Sequence, residues 1–148
     1  MGALLACPML LGMAAFADLA ANAGMPVIAH PALGGAGRIA PPLLLGGLFR
    51  LFGADASVFP NAGGRFSYDL DTCLAIADAL RAPWGRLTPA LPVPAGGMTV
   101  ARIPELIAAY GRDQMLLIGG NLLEAPGEVS DRAERFVAPM LQNLLNQT

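Results

Sequence analysis

Short apolar runs alternate along this chain with segments whose apolar residues recur at helical spacing, the pattern of consecutive strand–loop–helix units. Strands are predicted to start near Ala3, Met25, Asp55, Ala90 and Gln114, and helices to cover about 13–23, 42–53, 69–82, 99–110 and 130–145. Asp69 and Thr99 stand where helix N-caps belong. Pro42 suits a first helical turn, and Gly111 a C-terminal stop. Three of the strands run into glycine pairs (Gly63-Gly64, Gly96-Gly97 and Gly119-Gly120), and a fourth ends at His30-Pro31. A parallel strand that terminates in glycine lets a ligand approach the backbone closely, which is how β/α proteins build anion sites.

Pattern alone leaves two architectures open. One is a small doubly wound sheet of five strands; the other is part of a (β/α)8 barrel. At 148 residues a single domain is expected. Hydrophobic residues make up 55% of the chain and the mean hydropathy is +0.54. Strands buried on both faces raise the apolar content in this way. So does a surface meant to be covered by something outside the chain.

Charge narrows the chemistry. A net charge of −2 and a pI near 5.2 argue against nucleic acid and acidic membranes as partners. All nine basic residues are arginine, so no residue here can form a Schiff base or become carbamylated. His30 is the lone histidine, which excludes a histidine-built zinc site. The acidic residues are scattered, with no pair spaced for metal binding, and no tight magnesium site is expected. Asp69 and Asp71 at a helix start are explained by capping and the helix dipole. Cys7 and Cys73 lie in apolar patterns and read as buried free thiols.

Three further features read as structural. Leu4-Leu5-Ala6-Cys7 looks like a lipoprotein cleavage box, but no positive segment precedes it. The uncharged run that Asp18 ends is short for a membrane span. A buried strand over about 3–8 feeding a helix is the expected structure, and the cytoplasm the expected compartment. Gly35-Ala36-Gly37-Arg38-Ile39-Ala40 imitates a dinucleotide fingerprint, yet Pro41-Pro42 follow where its helix should already be running. Trp84 is expected to pack a loop.

His30-Pro31-Ala32, Gly53-Ala54-Asp55, Phe59-Pro60-Asn61, Leu91-Pro92-Val93-Pro94-Ala95-Gly96-Gly97 and Ile118-Gly119-Gly120 resemble, in this order, the C-terminal barrel of the RuBisCO large-subunit family. The likeness is strongest to its RuBisCO-like (type IV) branch. It implies a partial TIM (β/α)8 barrel of about five consecutive β/α units, matching strands four to eight. On this resemblance residues 1–148 form the C-terminal part of the catalytic barrel, without the small N-terminal domain and first barrel strands. The family's metal-binding lysine and its acidic neighbours sit on the second barrel strand, so Mg2+ belongs to the full-length family and its ligands are not expected here.

The resemblance also assigns residues. His30 matches an active-site histidine able to donate to a substrate hydroxyl or shuttle an enediol proton. Pro31 replaces an arginine that contacts phosphate in carboxylating members. Arg65 falls at the offset of a mobile-loop lysine, and its fork suits a carboxylate. Ala95-Gly96-Gly97 keeps the backbone of a Ser-Gly-Gly segment without its hydroxyl. Gly119 and Gly120 match phosphate-binding glycines, and Asn121 adds an amide. The site expected from these is His30 and Arg65 for chemistry, with Gly96, Gly97, Gly119, Gly120 and Asn121 for phosphate.

The implied parent is a magnesium-dependent lyase or decarboxylase. It would act on a sugar acid or sugar phosphate through an enediolate, without fixing CO2, and would be a homodimer at full length. The alternatives are an enolase or isomerase of methionine salvage, and a catalytically inactive remnant or interaction module.

Overall fold

The computed structural model describes residues 2–64, 66, 68–124 and 127–145. Four strands form one parallel sheet in sequential order: β1 (Leu4–Ala6), β2 (Val27–Ala29), β3 (Ala56–Pro60) and β4 (Leu91–Ala95). Each neighbouring pair is parallel, with Leu5 opposite Ile28, Ile28 opposite Ala56 and Val58 opposite Val93. Between the strands run α1 (Pro8–Leu11), α2 (Met13–Asn22), α3 (Pro42–Leu48 continued by Phe49–Leu51), α4 (Leu70–Arg81) and α5 (Ile103–Tyr110). A single 3₁₀ turn, Val100–Arg102, leads into α5, and α6 (Gly120–Glu124) and α7 (Val129–Leu145) follow. Strand after helix in unbroken sequential order is a segment of a β/α barrel wall.

The expected caps are present with one exception. Asp69 accepts a hydrogen bond from the Thr72 amide at 2.7 Å, and that bond holds its carboxyl below the ordinary carboxylate range. Gly111 ends α5 at φ 76°. Thr99 precedes the turn before α5 without a side-chain cap. The helix expected over 42–53 opens as a π-helix. Four consecutive residues, Leu44, Leu45, Gly46 and Gly47, are buried there, a wider face than an α-helix turns inward. Gly46 is obligatory: a Cβ on it would stand 2.6 Å from the Ala79 Cβ of α4. The Ser57 hydroxyl, fully buried in β3, donates to the Leu45 carbonyl at 2.7 Å and ties the helix to the sheet.

Alternation along the strands divides the core in two. Val27, Ala29 and Phe59 face the helices and join Phe16, Leu44, Phe49, Ile76, Leu80 and Leu106 in the main cluster. Among the described residues, the opposite side buries Ala56, Val58 and Val93, flanked by Ile28 and Ala95. Leu5 and Leu91 are 55% and 41% exposed. That second face corresponds to a barrel's interior, and it is half covered.

Arg50 anchors the helical layer. It is 3% exposed. Its Nε donates to the Thr88 carbonyl at 2.9 Å, Nη2 to Leu87 at 2.9 Å, and Nη1 to Ala82 and Ala79 at 2.7 and 3.2 Å. One buried guanidinium thus caps the C-terminus of α4 and organises the loop leading to β4.

The fifth strand expected from Gln114 is reduced to one parallel bridge, Ala95 to Leu117, and one bond from the Met115 amide to the Pro92 carbonyl at 3.0 Å. Proline explains this. Pro92 and Pro94 occupy the β4 positions that face the fifth segment, and neither has an N–H to give. Cys7 and Cys73 are both free thiols. Trp84 is 43% exposed and pairs with Leu87 in a loop bridge.

Two outcomes follow for stability. Expressed as these 148 residues alone, the chain is expected to self-associate through its open apolar face, giving concentration-dependent oligomers in sedimentation velocity. A monodisperse monomer with a cooperative melt would refute it. Arg50→Met should cost at least about 2 kcal/mol in the full-length gene product, because it removes four bonds from a buried guanidinium to backbone carbonyls, and a charge-assisted bond is worth about 1.5–3 kcal/mol. Denaturant titration checks this, and a wild-type midpoint would show that the carbonyls find other partners.

Candidate active site at the strand ends

Parallel strands send the loops that follow them to one end of the sheet, so His30, Gly96, Gly97 and Gly119 all lie at the C-terminal end. β3 separates the first of these from the second, and its loop borders both. On one side, Pro60, Phe66 and Tyr68 join His30, Pro31 and Leu33 around a cleft of about 620 Å³. On the other, Gly63 and Gly64 pack on Gly96 and Gly97.

His30 follows β2 directly. Its amide donates to the Ala6 carbonyl at 2.7 Å, which fixes the backbone as the strand ends. Its side chain is exposed at the cleft rather than buried in the core. The Ala32 amide donates to His30 Nδ1 at 3.2 Å. With Nδ1 occupied as an acceptor, the neutral ring carries its proton on Nε2. In that state His30 offers an N–H donor rather than a basic lone pair.

The cleft walls are mostly apolar, with His30 and Tyr68 as the polar exceptions. Burial, reinforced by Cys73, pushes the Tyr68 phenol above its ordinary value, so it stays protonated. Asn61, at the end of β3, turns away from the cleft. It is 1% exposed, and its Oδ1 accepts from the Tyr110 hydroxyl at 2.6 Å. The Tyr110 ring meets Phe59 edge-on at 5.9 Å. Burial drives its phenol strongly upward, which keeps it a donor.

The glycine pairs have clear steric causes. Gly63, Gly96 and Gly97 take φ values of 79°, 91° and 64°, open to glycine at little cost. A Cβ on Gly64 would press on the Gly96 backbone at 3.3 Å. Among the described residues neither Gly96 nor Gly97 donates its amide, so both remain available to an anion. Gly119 has open space where a Cβ would stand. Gly120 and Asn121 begin α6. Arg65 lies outside the described residues.

Arg102, which the sequence reading passed over, joins the two loops. Its Nη2 donates to the Ala62 carbonyl at 3.0 Å and its Nη1 to the Gly97 carbonyl at 3.4 Å. Glu105 pairs with it at 3.1 Å, and the guanidinium holds that carboxyl below its usual range. The pair is exposed on the Glu105 side and adds little stability itself. Its use is orientation. A signal did exist: an arginine one turn after Gly-Gly, at a helix start where a cation is unfavourable, calls for partners elsewhere. Arg102→Gln should speed amide hydrogen exchange at Gly64, whose amide is bonded to the Asn61 carbonyl in the loop that Arg102 holds, by at least about tenfold, the worth of one charge-assisted bond. Unchanged protection would remove Arg102 from this role.

Among the described residues no three His, Cys, Asp or Glu side chains gather to hold a metal. No described helix is long and apolar enough to cross a membrane.

No family model matches the chain. It is 58% identical over 132 residues to RuBisCO-like protein 1 of Rhodopseudomonas palustris, covering 88% of this chain and 36% of that protein. It is 54% identical over 135 residues to 5-methylthioribulose-1-phosphate isomerase of Rhodospirillum rubrum, covering 90% and 36%. To 2,3-diketo-5-methylthiopentyl-1-phosphate enolase of Geobacillus thermodenitrificans it is 36% identical over 123 residues, covering 79% and 30%. The crystal structure of the Rubisco-like protein from R. palustris superposes with a TM-score of 0.84 at 50% identity, over 93% of this chain and 37% of that one. The chain thus spans about a third of the length of its relatives. With this identity and superposition, the chain belongs to the RuBisCO-like branch of the RuBisCO large-subunit family and forms part of that family's barrel.

Proposed function

We propose that this segment supplies part of the barrel mouth of an enzyme that isomerises or enolises a methylthio-substituted sugar phosphate, with the remaining barrel strands coming from the rest of the full-length protein. The observation that carries the reading is the division of the mouth by β3. An apolar cleft with one histidine donor lies on one side, and a glycine loop with two amides that no described residue engages on the other. A substrate with an apolar thioether at one end and a phosphate at the other matches that division. The names of the relatives from R. rubrum and G. thermodenitrificans describe substrates of this kind.

The chemistry is proton removal next to a carbonyl, followed by reprotonation. Charge gathers on the carbonyl oxygen as the enediolate forms, and a donor aimed there is worth more in the transition state than in the ground state. His30 Nε2–H is that donor. Gly96 and Gly97 hold the phosphate through their amides, with Gly119, Gly120 and Asn121 closing over it from the next unit. Pro31 supports the assignment of ends, since apolar surface stands where carboxylating members place a phosphate-binding arginine. Among the described residues no carboxylate lines the cleft, and the group that accepts the proton is proposed to come from elsewhere in the complete enzyme.

Magnesium, when bound, would stabilise the enediolate charge. The described residues do not fit it, because they offer no ligand cluster, and any site for it lies on strands outside this segment. Decarboxylation of a sugar acid rests on Pro31 and Arg65 together, and the relatives' names support the isomerase or enolase alternative in its place. A cytoplasmic homodimer remains the proposed setting.

The test uses the full-length gene product with magnesium and 5-methylthioribulose 1-phosphate in deuterium oxide. Proton NMR should show solvent deuterium entering beside the carbonyl, with conversion to product. No exchange and no conversion would refute the reading, and CO2 release from a sugar acid would restore the lyase. His30→Ala should lower kcat by about 10²-fold, the usual worth of one oxyanion donor, and His30→Gln, which keeps an N–H, by less.

A further inference from the structure

Leu33 is the only non-glycine residue with positive φ among those described, at 61°. Leucine is a poor occupant of that region, because its Cβ crowds the backbone. A glycine stands next to it at Gly34, so the loop had a residue of the suitable type at hand. The conformation is nonetheless held from several sides. The Gly34 amide donates to the Pro31 carbonyl at 2.9 Å, closing a tight turn with Leu33 at its third position. The Ala36 amide donates to the Leu33 carbonyl at 3.0 Å. The Ala32 amide is bound to His30 Nδ1, and the Cys7 thiol donates to the Ala32 carbonyl at 3.4 Å. A Cβ at Gly34 would meet the Pro31 carbonyl at 2.9 Å, so the turn leaves room for no side chain at that position.

Core packing does not account for the strained leucine, since Leu33 is 55% exposed. Its side chain stands at the rim of the His30 cleft, which Phe66, 76% exposed, also lines. Two large apolar side chains therefore border one small opening while largely wet. Strain held by its surroundings, together with apolar surface left at a cleft, is the pattern of a ligand contact.

We infer that Leu33 is a specificity-determining residue, its strained turn presenting an apolar wall to the substrate's thioether end and disfavouring a hydroxyl in that place. The inference rests on the proposed methylthio-sugar phosphate reading and adds to it the residue that selects the tail. It also sets stability against selectivity, because a residue better suited to the turn would be a worse wall.

The test compares kcat/KM for 5-methylthioribulose 1-phosphate and for ribulose 1-phosphate, which carries a hydroxyl in place of the methylthio group, using the full-length gene product. Wild type should prefer the thioether by at least about tenfold, the discrimination an apolar pocket provides. Leu33→Asn suits positive φ and is polar; it should lower that preference at least about fivefold while the melting temperature holds or rises. Leu33→Gly should behave alike and serves if the asparagine variant is poorly folded. Leu33→Met, strained but apolar, should keep the preference. A wild-type enzyme indifferent to the two substrates overturns the underlying reading and this inference with it. A preference that survives in Leu33→Asn and Leu33→Gly, or is lost equally in Leu33→Met, overturns the role of Leu33 alone.

Discussion

A parallel sheet has to be covered on both faces, and most of what this chain displays follows from meeting that requirement on one side only. The helical side is finished. Phe16, Phe49, Phe59, Ile76 and Leu106 fill it, and Arg50 ties off the carbonyls where α4 ends and the loop to β4 begins. The other side has three small side chains at its centre and leucines in water at its margins. The high apolar content of the sequence is therefore of two kinds: residues that have found their partners, and residues waiting for the rest of a barrel.

The same one-sidedness organises the mouth. Loops at the strand ends are held from the helical layer, through Arg102 to the Ala62 and Gly97 carbonyls and through Tyr110 to Asn61. Their positions therefore do not rest on the unfinished interior. Preorganisation of this kind lets backbone amides and an imidazole serve as binding groups, because they need not reorganise when charge develops.

Much of this was legible in the residues. Apolar periodicity located all four strands, and Asp69 and Gly111 marked their helix ends, because local chemistry decides those features. Glycine after a strand pointed to the loop pairs. What escaped the sequence reading was set by contacts distant along the chain. Gly46 against Ala79 and the wide buried face of α3 concern helix packing that no local pattern encodes. The sequence reading passes over Arg50 and Arg102, whose carbonyl partners lie up to 40 residues away. The shortness of the fifth strand was visible in Pro92 and Pro94, but only once it is known which side of β4 each proline faces.

Those two prolines have a wider consequence. A strand edge normally offers donors and acceptors alike, so sheets of this kind can add neighbours at either end. Here the β4 border can receive hydrogen bonds from its next neighbour but return none at two of its positions. The β1 border carries no proline. The sheet is thus polar in its capacity to grow: strand addition is open at β1 and blunted at β4.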